Sequence, residues 1–278
     1  MSFGTPLRSA PCFVFRRPET DGPTENEAPF AVEANAEIEA LRFSRPRNGA
    51  GGSENLNVPF FPTRDANSRA LPYGSKSMDP LTTIVLAGGA SSRMGRPKAL
   101  LPFGAETLIE RAVRRMAAVS LEVVVVSGPH LKLPALPATA RVVEDENPLQ
   151  GPLAGLLYGL RAARTDLCFA CGCDLPFLRP EIARFLAGRS AGADGAMPEW
   201  DGFPQPLLAA YHKRLSGLLA DLITAGERRA VSILEHAKIT LVPSAELRSI
   251  DPDGVSFIDV DTPEAYQNSL QRLAAGVE

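Results

Sequence analysis

The chain has 278 residues, 45% of them hydrophobic, which is enough for one large or two modest domains with a real core. A net charge of −3 excludes the basic surface of a nucleic-acid binder, and no apolar run reaches the ~18 residues of a membrane-spanning helix. Of the four cysteines, Cys168, Cys171 and Cys173 crowd one segment and Cys12 stands alone, a pattern that fits a reducing, cytoplasmic setting better than a disulfide framework.

Residues 1–77 are rich in Pro, Gly, Asn, Ser and charge, and their apolar residues come singly or in short clusters. Such a composition buries too little to offset chain entropy, so this stretch is expected to be a disordered or non-native N-terminal extension. It lacks the apolar core of a signal peptide, and its early acids argue against a transit peptide. The domain proper is expected from Met78 to Glu278.

Ile84-Val85-Leu86 reads as a buried strand that breaks into Ala87-Gly88-Gly89 and then presents Arg93, Gly95, Arg96 and Lys98. A strand feeding a glycine turn with cations is how an α/β protein cradles phosphate. The spacing excludes both GxxxxGK[ST] and GxGxxG. A helix is expected from Glu106 to Val119, with apolar positions at 108, 109, 112, 113, 116 and 117. Strands follow at Leu121–Val126, Ala140–Val143 and Leu167–Gly172, with a helix between the last two from Gly151 to about Ala163. Pro180 starts another helix. Beyond it the pattern is less regular. Strands are expected at Ala193–Met197, Leu207–Tyr211, Ile239–Val242 and Val255–Ile258, and helices at Leu215–Ala225 and Val231–His236. A C-terminal helix is capped by Thr262 with Pro263 in its first turn.

Strands alternating with helices predict an α/β fold: three layers, with a mostly parallel sheet covered by helices on both faces. Ligands of such sheets bind beyond the carboxyl ends of the strands, so the turns after Leu86, Val126, Val143 and Gly172 should share one rim. Asp174 sits on that rim. It suits a hard cation such as Mg²⁺, and its alternative is an N-cap for the next helix. Asp261, in the acidic turn with Asp259, is either the second carboxylate of the same metal site or a solvated acid before a Thr-Pro helix start. Asp145 follows a third strand and could reach nucleotide or metal. Lys98 and Arg93 would neutralise a triphosphate, Lys as a point charge and Arg as a fork. The three clustered cysteines read as small buried hydrophobes rather than zinc ligands. Arg228 and Arg229, after Gly226, either hold an acceptor phosphate together with Arg93 or pair with surface acids.

Five segments carry a family resemblance: LAGGASSRMGRPKALLPF, EDENPLQGPLAGL, CDLPFL, TAGERRAVSIL and FIDVDTPEAY. With them the chain from Thr82 onward resembles the molybdenum cofactor guanylyltransferases, nucleotidyltransferases of a Rossmann-like fold. The related cytidylyltransferase resembles LAAG where Gly88 stands here, and a missing Cβ leaves room for the larger base. The resemblance implies transfer of GMP from GTP to molybdopterin carrying molybdenum, release of pyrophosphate, and a need for Mg²⁺. It implies that Leu86, Ala87, Gly88 and Gly89 contact the nucleotide, Lys98 the phosphates, Asp145 the guanosine part, and Asp174 the metal, with Lys98, Arg93 and Asp174 as the catalytic set and Asp174 with Asp261 as metal ligands. Ser127 and Asp261 stand where the family often has Asn. GTP and Mo-molybdopterin are the implied partners, molybdoenzyme apoproteins or cofactor chaperones are further ones, and nucleic acid and membrane are not expected. The alternatives are a molybdopterin cytidylyltransferase, a sugar-phosphate nucleotidyltransferase, and a non-catalytic nucleotide-binding module that delivers the cofactor.

Overall fold

The computed structural model describes residues 79–88, 96–145 and 151–277. The expected N-terminal extension lies outside them, and so do Gly89 and Arg93. Strand β1 spans Leu81–Leu86, where β-branched residues on both sides of the pleat are buried. A single 3-10 turn at Lys98–Leu100 leads into the two-residue strands β2 (Pro102–Phe103) and β3 (Glu106–Thr107), which pair across Gly104. Helix α1, Leu108–Ala117, starts at Thr107. The Thr107 hydroxyl accepts from Glu110 N–H at 3.4 Å while the Glu110 carboxylate accepts from Thr107 N–H at 2.7 Å. Such a reciprocal cap is worth about 1 kcal/mol.

Strand β4 (Glu122–Ser127) is buried along its whole length, and β5 (Ala140–Glu144) follows beside it. Leu121, expected at the start of β4, stands outside it and is 63% exposed. The strand opens instead on Glu122, whose buried carboxylate accepts from Thr82 Oγ1 at 3.1 Å and Arg164 N–H at 2.7 Å. Helix α2 (Pro152–Ala162), β6 (Leu167–Gly172) and α3 (Pro180–Arg189) complete the first half. The second half holds β7 (Gly195–Trp200), β8 (Phe203–Pro204), β9 (Ala209–His212), α4 (Leu215–Thr224), α5 (Ile233–His236), β10 (Ile239–Pro243), α6 (Ser244–Leu247) and α7 (Pro263–Ala274). The expected strand at Val255–Ile258 is a 3-10 turn at Val255–Phe257. Gly254 enters it at φ 68°, and the Asp251 carboxylate takes the Ser256 N–H that a ladder would need.

The main sheet has eight strands, in the order β10-β7-β9-β6-β1-β4-β5 with β8 on β7. Its neighbours are parallel except that β9 runs against β6 and β7, and β8 against β7. Alternation along the strands divides the core. Val85, Val123 and Val125 pack with α1 and α3 through Ile109, Val113, Met116, Ile182 and Leu186. Ile84, Val124 and Val126 pack with α2 and α4 through Leu153, Leu156, Leu160, Leu215 and Leu219. These are the expected three layers, and each fully buried branched side chain contributes about 1.5–3 kcal/mol. Among the described residues no helix is long and apolar enough to cross a membrane.

Candidate active site

Because β1, β4, β5 and β6 are parallel, their carboxyl ends face one rim, and the backbone carries the ladder one residue past each strand. Ala87 N–H donates to Val126 O at 2.8 Å, Cys173 N–H to Leu86 O at 3.1 Å, and Asp145 N–H to Ser127 O at 2.7 Å. Leu86, Ala87, Gly88, Ser127, Asp145, Cys173 and Asp174 are thereby brought to the same edge. Asp145 is nearly buried there, whereas Gly88 is exposed. Among the described residues, a Cβ added at Gly88 would meet only Gly128 N, at 3.9 Å.

Three charged side chains from distant parts of the chain meet on this rim. Lys98 Nζ donates to Asp174 Oδ2 at 3.2 Å and also to Asp261 Oδ1. Their side chains are 22% exposed for Lys98, 27% for Asp174 and 49% for Asp261, so all three reach solvent. Burial pulls the Lys98 ammonium toward losing its proton, but hydrogen bonds and attraction from Asp261 and Asp174 outweigh it and hold its pKa above the ordinary lysine value. Asp259 joins the cluster. Burial raises its carboxyl above the usual range, and the Asp261 and Asp174 charges raise it further.

Each member is fixed by local chemistry. Asp174 folds back over Gly172, where a Cβ would stand 2.2 Å from its Oδ1, so only glycine leaves that path open. Its loop is tied to α1, with Arg111 Nε donating to Pro176 O at 2.6 Å and Arg115 Nε to Leu178 O at 2.9 Å. Arg111 is itself buried beside the Phe103 and Phe177 rings. Val260 N–H donates to Asp174 O at 2.9 Å and draws the Asp261 turn onto the Asp174 loop. The capping alternative weighed for Asp174 falls away, whereas Asp261 does precede a Thr-Pro helix start with its side chain half exposed. Helix α3 begins at Pro180 with no side-chain cap, so Asp174 caps nothing. The cap of α7 is Thr262, whose hydroxyl accepts from Ala265 N–H at 3.1 Å.

For the arginines the structure favours the second of the two readings, and for the cysteines it agrees with the expectation. Arg228 and Arg229 do not open a helix: they follow Gly226 at φ 92°, and the 3-10 turn starts only at Ala230. Arg229 pairs with Glu227, its Nη2 2.9 Å from Oε2, and Arg228 Nη1 donates to Ile223 O at 3.0 Å at the end of α4. Their charge is spent on a neighbouring acid and a helix terminus. The backbone of Arg228 packs on Gly151, where a Cβ would come within 3.0 Å of Arg228 O, so the GERR turn abuts the start of α2. The clustered cysteines are free and buried, and burial pushes the Cys168 thiol up to about 12 and those of Cys171 and Cys173 higher still. They behave as small hydrophobes.

Residues 83–241 match the MobA-like NTP transferase domain family. A relative from Pelotomaculum thermopropionicum that bears the name molybdenum cofactor guanylyltransferase is 34% identical over 182 residues, 66% of this chain and 88% of the relative. One of the same name from Mycobacterium bovis is 37% identical over 177 residues, 62% of this chain and 87% of the relative. Among solved structures, molybdopterin-guanine dinucleotide biosynthesis protein A from Archaeoglobus fulgidus superposes with a TM-score of 0.60 at 25% identity, covering 70% of this chain and 99% of that one.

Proposed function

The chain belongs to the MobA-like NTP transferase domain family, and we propose on that basis that it transfers GMP from GTP to molybdopterin carrying molybdenum and releases pyrophosphate. The observation that carries the reading is the convergence of Lys98, Asp174 and Asp261 where the parallel strands end. A terminal phosphate oxygen of the acceptor attacks the α-phosphorus. The new P–O bond forms as the bond to the bridging oxygen breaks, and the electron pair leaves with pyrophosphate. No side chain needs to form a covalent intermediate. The protein's task is to align two anions and neutralise their charge.

The residues present fit a divalent cation. Two carboxylates already converge on a cationic atom, the Lys98 ammonium, in a place open to water, and hard oxygen donors of this kind suit Mg²⁺, which keeps several waters and binds through one or two carboxylates plus phosphate oxygens. Asp174 and Asp261 would hold it. The cation, when bound, lowers the charge on the triphosphate. Lys98 stands on the same two carboxylates and is long enough to exchange them for phosphate oxygens when GTP enters. Arg93, which follows β1 in the sequence, is assigned to the triphosphate as a second cation. The rim backbone at Leu86, Ala87 and Gly88 takes the nucleotide, with Gly89 next in sequence assigned to the same ligand and Asp145 directed to the guanosine. The buried free thiols agree with a cytoplasmic location. Turnover of GTP, CTP and UTP with Mo-molybdopterin, with and without Mg²⁺, tests the reading: GTP alone should support rapid pyrophosphate release, and only with the metal. Equal use of CTP would overturn the base assignment.

A further inference from the structure

Asp251 lies away from the rim cluster, yet its carboxylate has 0% exposure. A carboxylate taken out of water costs several kcal/mol, and an apolar residue of similar volume often serves stability as well or better. Its bonds indicate what it does. Asp251 Oδ2 accepts from Ser256 N–H at 2.7 Å, Ser256 Oγ accepts from Arg179 N–H at 3.0 Å, and Arg179 Nε lies 3.3 Å from Asp251 Oδ1. These three residues close a ring between two loops. Ser256 stands five residues before Asp261, and Arg179 five residues after Asp174. At the other end of the same two loops lies the bond from Val260 N–H to Asp174 O. The segment is braced from outside as well. Trp200 stacks on Phe257 at 4.1 Å with planes 5° apart, and Gly254, at φ 68°, leaves room for that ring, since a Cβ there would come 2.2 Å from Trp200 Cζ2.

We propose that Asp251, Ser256 and Arg179 form a clamp that fixes the position of Asp261 relative to Asp174, and so act as positioning residues for the divalent cation. The inference rests on Asp174 and Asp261 being the cation's ligands. Two carboxylates contributed by separate loops bind one ion well only if their separation is set beforehand, because ordering the loops would otherwise be charged against binding. Partners that orient metal-binding side chains typically govern 10–100-fold of the affinity. The two hydrogen bonds of Ser256, one to the Asp251 carboxylate in its own loop and one from Arg179 N–H in the other, set that separation more sharply than apolar packing does, and the Asp251–Arg179 ion pair adds charge attraction across the loops.

The test uses the full chain, Mn²⁺ as the probe and no nucleotide, with free Mn²⁺ read by electron paramagnetic resonance. Trp200 is the chain's single tryptophan, so its emission reports directly on the braced loop. Asp251→Ala and Ser256→Ala should each weaken Mn²⁺ binding about 10-fold and shift Trp200 emission. Asp251→Asn keeps an acceptor for Ser256 N–H and should return the affinity to within about threefold of wild type. Should Asp251→Ala fail to fold, Ser256→Ala, which removes one hydroxyl, carries the comparison. A purely structural role would lower the melting temperature and leave Mn²⁺ affinity unchanged. Wild-type affinity in a folded Asp251→Ala or Ser256→Ala, with binding lost in Asp174→Ala, overturns the clamp and leaves the cation site standing. Mn²⁺ binding that Asp174→Ala does not diminish overturns the cation site, and the clamp with it.

Discussion

Replacing Asp174 by Asn removes one charge at nearly constant shape, and the structure gives separate magnitudes for stability and rate. The gross attraction between Asp174 Oδ2 and Lys98 Nζ at 3.2 Å is about 5 kcal/mol at an effective dielectric of ~20. The net value is far smaller, because both side chains are partly solvated and pairs of this kind return about 0–1 kcal/mol. Lys98 also keeps Asp261, and removing one carboxylate relieves repulsion on Asp259, whose raised pKa should fall back toward the ordinary range. The melting temperature should therefore move by less than about 4 °C. Catalysis should suffer far more, since losing one electrostatic stabiliser of a developing charge costs about 10²–10³ in rate, or about 2.7–4 kcal/mol of barrier. The assay is pyrophosphate release at saturating GTP, Mo-molybdopterin and Mg²⁺, beside a thermal melt of the same preparation. Turnover near wild type would refute the assignment of Asp174 to the reaction. A collapse of the melting temperature would refute the placement of its charge on a solvated rim.

Lys98→Ala should weaken GTP binding by more than it weakens GMP binding in calorimetric titrations, because GMP lacks the β- and γ-phosphates that Lys98 is assigned to meet; equal losses would place Lys98 elsewhere. Gly88→Ala should fold normally, since among the described residues its Cβ meets only Gly128 N at 3.9 Å, and should lower the GTP-to-CTP ratio of kcat/KM by about 10-fold; an unchanged ratio would remove Gly88 from base selection. The Glu106 carboxyl is held below its ordinary value by the hydrogen bond from Arg114 and, behind it, by Arg111. A lowered pKa gives stability that is present above the ordinary value near 4.5 and is lost as pH falls through the folded one, so Glu106→Gln should flatten the acid side of the melting-temperature profile; an identical acid limb in both proteins would deny the pair any role. A chain beginning at Met78 should melt cooperatively and keep its turnover, and failure to fold would show that residues 1–77 contribute to the domain.

The sheet was legible wherever apolar residues run unbroken between turn signals. Leu167–Gly172 is the strand its composition predicts to the residue, and the valines of β4 leave no other reading. Val255-Ser256-Phe257-Ile258 looks equally strand-like, but Gly254 at positive φ and the Asp251 carboxylate on Ser256 N–H turn it into a 3-10 segment, and a long-range decision of that kind has no local signature. The pairing of Asp174 with Asp261 could be anticipated from their places after apolar strands and turns. The position of Lys98 between them could not, since it depends on contacts 76 and 163 residues away in the chain. The choice between the two readings of Arg228 and Arg229 turned on local chemistry. Gly-Glu-Arg-Arg suggests a helix start facing an anion, but the Glu227 carboxylate beside them satisfies Arg229 first. Asp251 carried no signal at all: Asp-Pro-Asp-Gly reads as a solvated turn, and only its complete burial in the folded chain shows that it is interior.

GMP transfer breaks the bond between the α-phosphorus of GTP and its bridging oxygen, and labelled GTP follows both halves. With wild-type protein, Mg²⁺ and Mo-molybdopterin, label on the α-phosphorus should appear in a dinucleotide joined to the pterin, while label on the γ-phosphorus should leave entirely as pyrophosphate. Label from the γ-phosphorus on the pterin, or α-label that never leaves the free nucleotide, would rule out GMP transfer by this protein.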